Sequence, residues 1–455
     1  DLVVEVAIVR PGPIQGGMVH PYLKARQRRR EGKEIVFAKA ELAEPLGRTL
    51  GVPIFQEQVM QLAIVAAGFT ADEADRLRRS MAAWKHHGDV TIFHHRLVEG
   101  MVAKGYERDF AEGIFKQIEG FGEYGFPESH AASFALLAYF SSWFKFYEPA
   151  CFLASLLNAQ PMGFYSASQL IQDAQRHDVE VRPVDVVLSD VDCSLEPPDG
   201  FDAADLAPGK GNALQPCVRL GLRMVAGLTG EGARRIAAAR AAAPFTDVED
   251  LALRACLGLK DMNALAAADA LSSLAGHRRQ QVWAAAAQRL APALLKDAPI
   301  QEPQIQLLPA REGEDIVFDY QATGLTLRRH PLALLRPRLE RRGVLTAGQL
   351  RHLPDGTLVH ACGLVNMRQR PPTAKGTMFI TLEDETGSVN IIVWKDVVEA
   401  QRDALLRSRL LAIQGVWQRD MENGGNVRHL LARESQDLTW MLGRLAQQNK
   451  SRDFH

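Results

Sequence analysis

The most specific chemistry in this sequence sits in Val225-Ala226-Gly227-Leu228-Thr229-Gly230-Glu231-Gly232, three glycines in the pattern G-x-x-G-x-G ahead of a helix predicted over Ala233–Ala243. Glycines at a helix N-terminus leave successive backbone N–H groups unobstructed, a ready seat for a phosphate. The stretch reads as the loop of a helix-hairpin-helix motif. A nucleotide fingerprint would need a preceding strand and a βαβ unit, which are not evident here, and plain turn glycines are the bland alternative. Gly258-Leu259-Lys260-Asp261-Met262-Asn263 precedes another short helix and is a weaker second hairpin, with Lys260 as its cation.

Cations cluster in two further places. Lys24 to Lys33 reads K-A-R-Q-R-R-R-E-G-K, with six cations in ten residues. It fits a nucleic-acid backbone contact and a solvated surface helix equally well. Arg78 and Arg79, with Lys85 just beyond, form a cluster able to hold a triphosphate through charge-assisted hydrogen bonds. Asp75, four residues before Arg79, offers that arginine an ordinary surface ion pair instead. His86-His87 and His94-His95 have no acidic or thiol partner at useful spacing and read as loop histidines, so no metal site is expected. Phe379, Trp394 and Trp417 fit either base-stacking or strand core.

The composition allows all of this. The chain has 455 residues, 47% hydrophobic and 24% charged, which predicts a folded protein of roughly three domains. A formal net charge of -1 excludes global basicity, so any polyanion site must be local. The five cysteines are scattered, with no C-x-x-C pair, as expected of isolated thiols in a reducing cytoplasm. The most membrane-like stretch, Ala131 to Phe144, is short and ends at Lys145, so no span is expected. The N-terminus lacks the pattern of a signal peptide and reads as a chain entered mid-domain.

The elements that must position these residues follow from periodicity. Val59, Leu62, Ala63 and Ala66 predict a helix stopped by Gly68. Thr70 and Glu73 form a capping box for a helix through Met81, burying Ala74, Leu77 and Met81. Ser133 to Tyr147, rich in Phe, Tyr, Trp and Leu, predicts a deeply packed helix. A second capping box is expected from Thr246 to Glu249. After Pro354 the period changes to two. Leu358–Asn366, the hairpin of Thr377–Leu382 and Ser388–Trp394, a helical Lys395–Leu406, then Leu410–Trp417 and Val427–Ala432 follow the order of an OB barrel.

Together these pieces resemble the C-terminal half of a bacterial C-family DNA polymerase of the polymerase III alpha type. The resemblance rests on Arg10-Pro11-Gly12-Pro13 with Gln15-Gly16-Gly17-Met18-Val19, on Gly51 to Met60, on Asp75 to Met81, and on Tyr124 to Ser133. Ala82-Ala83-Trp84-Lys85-His86-His87-Gly88 replaces the glycine and lysine run of the replicative subunit, and Pro127-Glu128 stands where that subunit has Asn-Lys. The wording is therefore similar to the error-prone, mutagenesis-associated branch. An NAD-dependent DNA ligase shares hairpin and barrel modules, but no four-cysteine zinc set supports it.

The resemblance implies a multidomain α+β chain with mostly helical fingers, a helix-hairpin-helix module and a C-terminal OB-type barrel. Residues 1–50 would end the palm and start the fingers, 51–196 continue the fingers, and 197–216 form a linker. Residues 217–291 would be the hairpin module, 292–355 a connector, 356–440 the OB-fold and 441–455 a tail. Arg10, Arg78, Arg79, Lys85, Tyr124 and His130 would face the incoming nucleotide, and Gly227, Thr229, Gly230, Gly232 and Lys260 would contact DNA. No catalytic residue is assigned, because the family's metal-binding carboxylates lie upstream of the Arg-Pro-Gly-Pro motif; Mg2+ would serve the complete polymerase. The implied partners are primer-template DNA, deoxynucleoside triphosphates, other mutagenesis proteins and, directly or through them, the sliding clamp, in the cytoplasm and without a membrane. The alternative is a non-catalytic DNA-binding or scaffold subunit.

Overall fold

A computed structural model describes residues 1–10, 17–81, 90–119, 127–163, 165–202, 215–287, 306–371, 374, 376–420, 427–447 and 452–454. The chain divides between Trp143 and Phe144 into two compact units. The first contains α1 (Leu2–Ile8), α2 (Val19–Arg30), α3 (Gln56–Ala67), α4 (Ala71–Met81), α5 (Val90–Ala103) and α6 (Arg108–Glu119). α7 (Glu128–Tyr147) crosses the division.

The predicted core face of α3, Val59, Leu62, Ala63 and Ala66, is fully buried. Gly68 ends the helix in the left-handed region at φ 68°, its N–H donating to the Ile64 carbonyl at 3.1 Å. The Thr70–Glu73 box also forms. The Thr70 N–H donates to the Glu73 carboxylate at 2.8 Å, and the Glu73 N–H donates to Thr70 Oγ1 at 3.2 Å. Ala74 and Leu77 are buried as expected, while the Met81 side chain lies outside the described residues.

α7 corrects an expectation. It begins at Glu128, five residues before the predicted start, and is not deeply packed: only Ala131 and Ala135 are buried, while Leu136, Tyr139, Phe140 and Phe146 are more than half exposed. The reason lies in the sequence. Large apolar residues occur on every side of the helix, so no single neighbour can cover them.

In the second unit, α8 (Pro149–Asn158) and α9 (Ala167–Gln175) share one hydrophobic core with α10 (Gly230–Ala242), α11 (Val248–Arg254), α12 (Leu259–Ala267) and the buried Ala285 of α13 (Arg278–Ala287). A small sheet joins them: β3 (Cys217–Arg219) pairs in parallel with β1 (Val181–Arg182) and antiparallel with β2 (Ser194–Glu196). Residues 150–196 thus pack with the hairpin module, whereas the sequence places them with the fingers. Strand pairing across 197–216 accounts for this, although most of that stretch, 203–214, lies outside the described residues.

Two helix starts also differ from the sequence reading. α10 begins at Gly230 rather than Ala233. The second capping box shifts by one residue: Asp247 is the N-cap of α11, accepting from the Asp250 N–H at 2.8 Å, and the Asp250 carboxylate accepts from the Thr246 N–H at 3.1 Å. Asp247 and not Thr246 takes the N-cap, because a charged acceptor makes the stronger hydrogen bond to a free N–H of the first turn.

The C-terminal barrel closes as expected. β4 (Leu358–Gln369), β5 (Met378–Asp384), β6 (Gly387–Val393), β7 (Leu410–Arg419) and β8 (Arg428–Asp437) pair in the order β5-β6-β8-β7-β4, and β4 returns to β5. The β6–β8 pairing is parallel, Ile391 with Leu430 and Ile392 with Leu431. The helical stretch before β7 is two helices, α14 (Lys395–Ala400) and α15 (Arg402–Arg407), broken at Gln401. Alternation puts Met378, Ile380, Leu382, Val389, Ile391 and Val393 inside.

The barrel is fastened to the helical module by buried polar contacts. Glu383 accepts from Gln172 of α9 at 2.7 Å and from Asn366, and it faces His330 Nε2 at 3.3 Å. Burial pushes the Glu383 carboxyl upward, but the bonds from His330, Gln172 and Asn366 outweigh it and leave its pKa below the ordinary value.

Candidate nucleic-acid interface

The hairpin loop is built around Thr229. Gly227 has φ 87°, the left-handed conformation that turns the chain into α10. Thr229 is the N-cap, and its Oγ1 accepts from the Gly232 N–H at 3.0 Å. Its own N–H donates to Asp261 Oδ1 at 3.0 Å, so the first turn of α12 braces the first hairpin. Gly232 has no room for a side chain, since a Cβ would lie 2.8 Å from Thr229 Oγ1 and 3.0 Å from Asp261 Oδ2.

Two of the loop's donors are therefore spent internally. The N–H groups of Gly230 and Glu231 have no partner among the described residues, and nothing lies within 4 Å of a Cβ built on Gly230. These are the groups an anion could reach at the positive end of the helix. Lys260 is exposed in the first turn of α12, the N-terminal turn of the second hairpin. Asp261 is the functional residue that the sequence reading missed. It lies within a quoted hairpin, but its partner is thirty-two positions away.

In the first unit, the structure brings two of the sequence's candidates together. The Arg10 guanidinium lies 5.3 Å from the centre of the Phe134 ring, and the His130 ring meets the same phenyl edge-on at 4.7 Å. Phe134 is a common support between them. Arg78 and Arg79 share Asp75: Arg78 donates through Nε at 3.0 Å and Nη2 at 2.9 Å, and Arg79 Nη2 lies 2.6 Å away. The sequence spacing offers this carboxylate to at least Arg79, and the structure gives it to both arginines. The two arginines hold the Asp75 carboxyl below the usual carboxylate range, led by the Arg78 hydrogen bond. Lys85 and Tyr124 lie outside the described residues.

The α7 N-terminus is fixed by Glu57 of the motif Gly51 to Met60 and by Arg48 just before that motif. The Glu57 carboxylate accepts from the Glu128 N–H at 3.0 Å, and Arg48 pairs with the Glu128 carboxylate at 2.5 Å. Gln58, buried, donates to the Pro45 carbonyl and Thr49 Oγ1 and accepts from the Ile54 and Phe55 N–H groups. The motif thus carries structural bonds through Glu57 and Gln58.

His94 and His95 lie in α5 and not in a loop, and His94 does have an acidic partner, Glu112 at 2.7 Å, which the spacing does not reveal because it comes from α6; the ring also meets Phe115 edge-on. Among the described residues no group of three or more His, Cys, Asp or Glu could hold a metal ion. The described residues therefore do not fit the Mg2+ that polymerase chemistry calls for. No described helix is long and apolar enough to cross a membrane.

On the barrel, Trp417 is core, only 3% exposed, whereas Phe379 and Trp394 are exposed at 37% and 53%. Phe379 is on β5, opposite Ile392 of β6, and alternation puts Ile392 and Trp394 on the same outward face as Phe379.

Comparison with known proteins agrees with this geometry. Residues 1–105 match the model of the bacterial DNA polymerase III alpha subunit finger domain, 178–281 a helix-hairpin-helix motif, and 359–434 an OB-fold nucleic acid binding domain. The error-prone DNA polymerase of Burkholderia pseudomallei is 56% identical over 459 residues, covering 100% of this chain and 41% of that protein. Those of Bordetella bronchiseptica and Alkalilimnicola ehrlichii are 55% and 54% identical, each over 100% of this chain and 42% of their own length. A solved structure, the asparaginyl-tRNA synthetase from Pyrococcus horikoshii, aligns over 21% of this chain and 23% of its own at 22% identity and a TM-score of 0.18, too low to bear on fold or function. By sequence, the chain belongs to the error-prone DNA polymerases of the bacterial polymerase III alpha type and spans about two fifths of its relatives' length.

Proposed function

We propose that this chain supplies the nucleotide- and DNA-gripping part of an error-prone DNA-directed DNA polymerase that copies damaged templates in the cytoplasm. The observation that carries the reading is the Thr229 hairpin, whose outward N–H groups at Gly230 and Glu231 are those a duplex phosphate needs. In this reading Gly227, Thr229 and Gly232 shape the loop, Gly230 approaches the backbone, and Lys260 adds charge at the neighbouring hairpin. Arg10, Arg78, Arg79, Lys85, Tyr124 and His130 meet the triphosphate of the incoming deoxynucleotide. Phe379 and Trp394 stack unpaired template bases on the barrel.

Nucleotidyl transfer also needs Mg2+ to activate the primer hydroxyl and stabilise the departing pyrophosphate. This chain's described residues grip and orient the DNA and the nucleotide and supply no ligand set for the ions. Other mutagenesis proteins and, directly or through them, the sliding clamp would complete the assembly. The test is binding and primer extension measured together. The purified chain binds primer-template DNA, and Gly230→Val weakens that binding alike on unrelated sequences; with magnesium and four deoxynucleotides the chain gives no extension. Extension above background overturns the assignment of the ions elsewhere. Loss confined to one sequence overturns the backbone role of the hairpin.

A further inference from the structure

Helix α2 presents a row of cations that none of the contacts above uses. Of its twelve residues, Val19–Arg30, only Tyr22 is buried. Arg26 is drawn inward to Glu5 at 2.6 Å. Lys24, Arg28, Arg29 and Arg30 are exposed, and none of them has an ion-pair partner among the described residues. The neighbouring carboxylate, Glu31, is engaged by Lys33 at 2.6 Å and by Gln27 at 3.2 Å.

Arg28, Arg29 and Arg30 concentrate charge in one turn, and Lys24 and Arg28, like charges four residues apart, repel one another, which an exposed helix gains nothing by keeping. The helix C-terminus accounts for part of the cluster, because cations are favourable in the last turn. It does not account for Lys24, four residues before Arg28 and on the same face of the helix. In a chain of net charge -1, such a patch is a local positive field. Arginine is the side chain suited to phosphate, since its planar fork donates two parallel hydrogen bonds.

We propose that the exposed face of α2, Lys24, Arg28, Arg29 and Arg30, is a second DNA contact that holds the phosphate backbone independently of sequence. It shares with the proposed function only the DNA partner, and it lies in a different unit from the hairpin and the barrel.

The salt dependence of DNA binding tests it, because each phosphate neutralised by a cation releases counterions and adds about 0.9 to the slope of log K against log salt on duplex DNA. The purified chain is titrated with a duplex of arbitrary sequence, and with a second unrelated one, over about 50 to 200 mM salt. The combined Arg28→Gln, Arg29→Gln and Arg30→Gln variant, which keeps good helix formers on an exposed face, lowers the slope by about 2.7 on both duplexes. Adding Lys24→Gln lowers it by about 0.9 more. An unchanged slope with intact helicity overturns the proposal. Loss of binding to vesicles containing phosphatidylserine, with duplex binding unaltered, also overturns it and assigns the face to a membrane surface. Gly230→Val separates the two readings. If it alone weakens binding, the hairpin stands and this contact fails; if only the arginine variant does, the hairpin reading fails and this contact stands.

Discussion

Asp261 accepts the backbone N–H of Thr229 across thirty-two residues, so that the two hairpins are tied at the point where the first must hold its shape. The same carboxylate occupies the space next to Gly232 and leaves room for no other residue there.

Removing it leaves a backbone donor without its acceptor. Asp261→Ala is expected to lower the stability of the chain by about 1.5–3 kcal/mol, the range for a hydrogen bond to a charged acceptor, since water can reach the freed N–H of the exposed Thr229. Asp261→Asn retains an oxygen for the Thr229 N–H and should lose less. Denaturant unfolding of the three proteins checks the order, and an Asn variant as unstable as the Ala one would contradict it.

The exposed helix α7 makes an opposite prediction. Phe140 is 53% exposed, so Phe140→Gln should shift stability by no more than about 0.5 kcal/mol. Leu62, fully buried in α3, is the comparison: Leu62→Ala should cost about 2–5 kcal/mol. Thermal unfolding of both variants decides. A large loss at Phe140 would mean that its face is covered.

What the sequence discloses and what it hides divide along a physical line. The Thr70–Glu73 box, the Gly68 stop and the alternation in β5 and β6 depend on neighbours within a few residues, and all are legible. The α7 reading fails because hydrophobicity marks a helix that wants cover and not whether cover is present. Asp261 with Thr229, Arg10 over Phe134, and Gln172 with Glu383, the last two hundred and eleven residues apart, exist only once the chain has folded. No local period announces them. Even locally, the Asp247 cap shows that two acceptors side by side compete, and charge decides between them.

Acid should loosen the seam between the barrel and the helical module. The folded Glu383 pKa is lowered below its ordinary value of 4.5, so its contribution is fully present above that pH and is lost as pH falls through the folded value. Unfolding midpoints of the native protein should therefore drop more steeply below pH 4.5 than those of Glu383→Gln, in which this carboxylate no longer titrates. Parallel curves would remove Glu383 from the acid response.

The barrel aromatics separate into core and surface. Trp417→Ala should cost about 3–5 kcal/mol of stability, as expected of a buried indole. Phe379→Ala and Trp394→Ala should leave the fold intact and weaken single-stranded DNA binding by about 1–3 kcal/mol for each base that loses its stacking partner. Anisotropy with a labelled oligonucleotide, beside a thermal melt, reads both effects. Unchanged affinity in the Phe379 and Trp394 variants would show that this outward face does not carry the strand.

Arg78 and Arg79 pose the sharpest choice, because the structure gives both of them a partner in Asp75. If that ion pair is their whole purpose, replacing either by Ala leaves nucleotide kinetics untouched. If they grip the triphosphate, Asp75 acts as a holder that keeps two long side chains aimed, and each loss should lower kcat/KM for the nucleotide by roughly 10- to 150-fold, the range for a charged hydrogen bond. DNA affinity should barely move in either case. The measurement belongs in a polymerase that joins this chain to the rest of its relatives' length, with Asp75→Asn as the third variant. A holder predicts that Asp75→Asn raises the nucleotide KM while both arginines remain, since their geometry and not their charge has been altered. Arg78→Ala and Arg79→Ala with unaltered kcat/KM would remove the pair from the nucleotide site and leave the surface ion pair as the full account of all three residues.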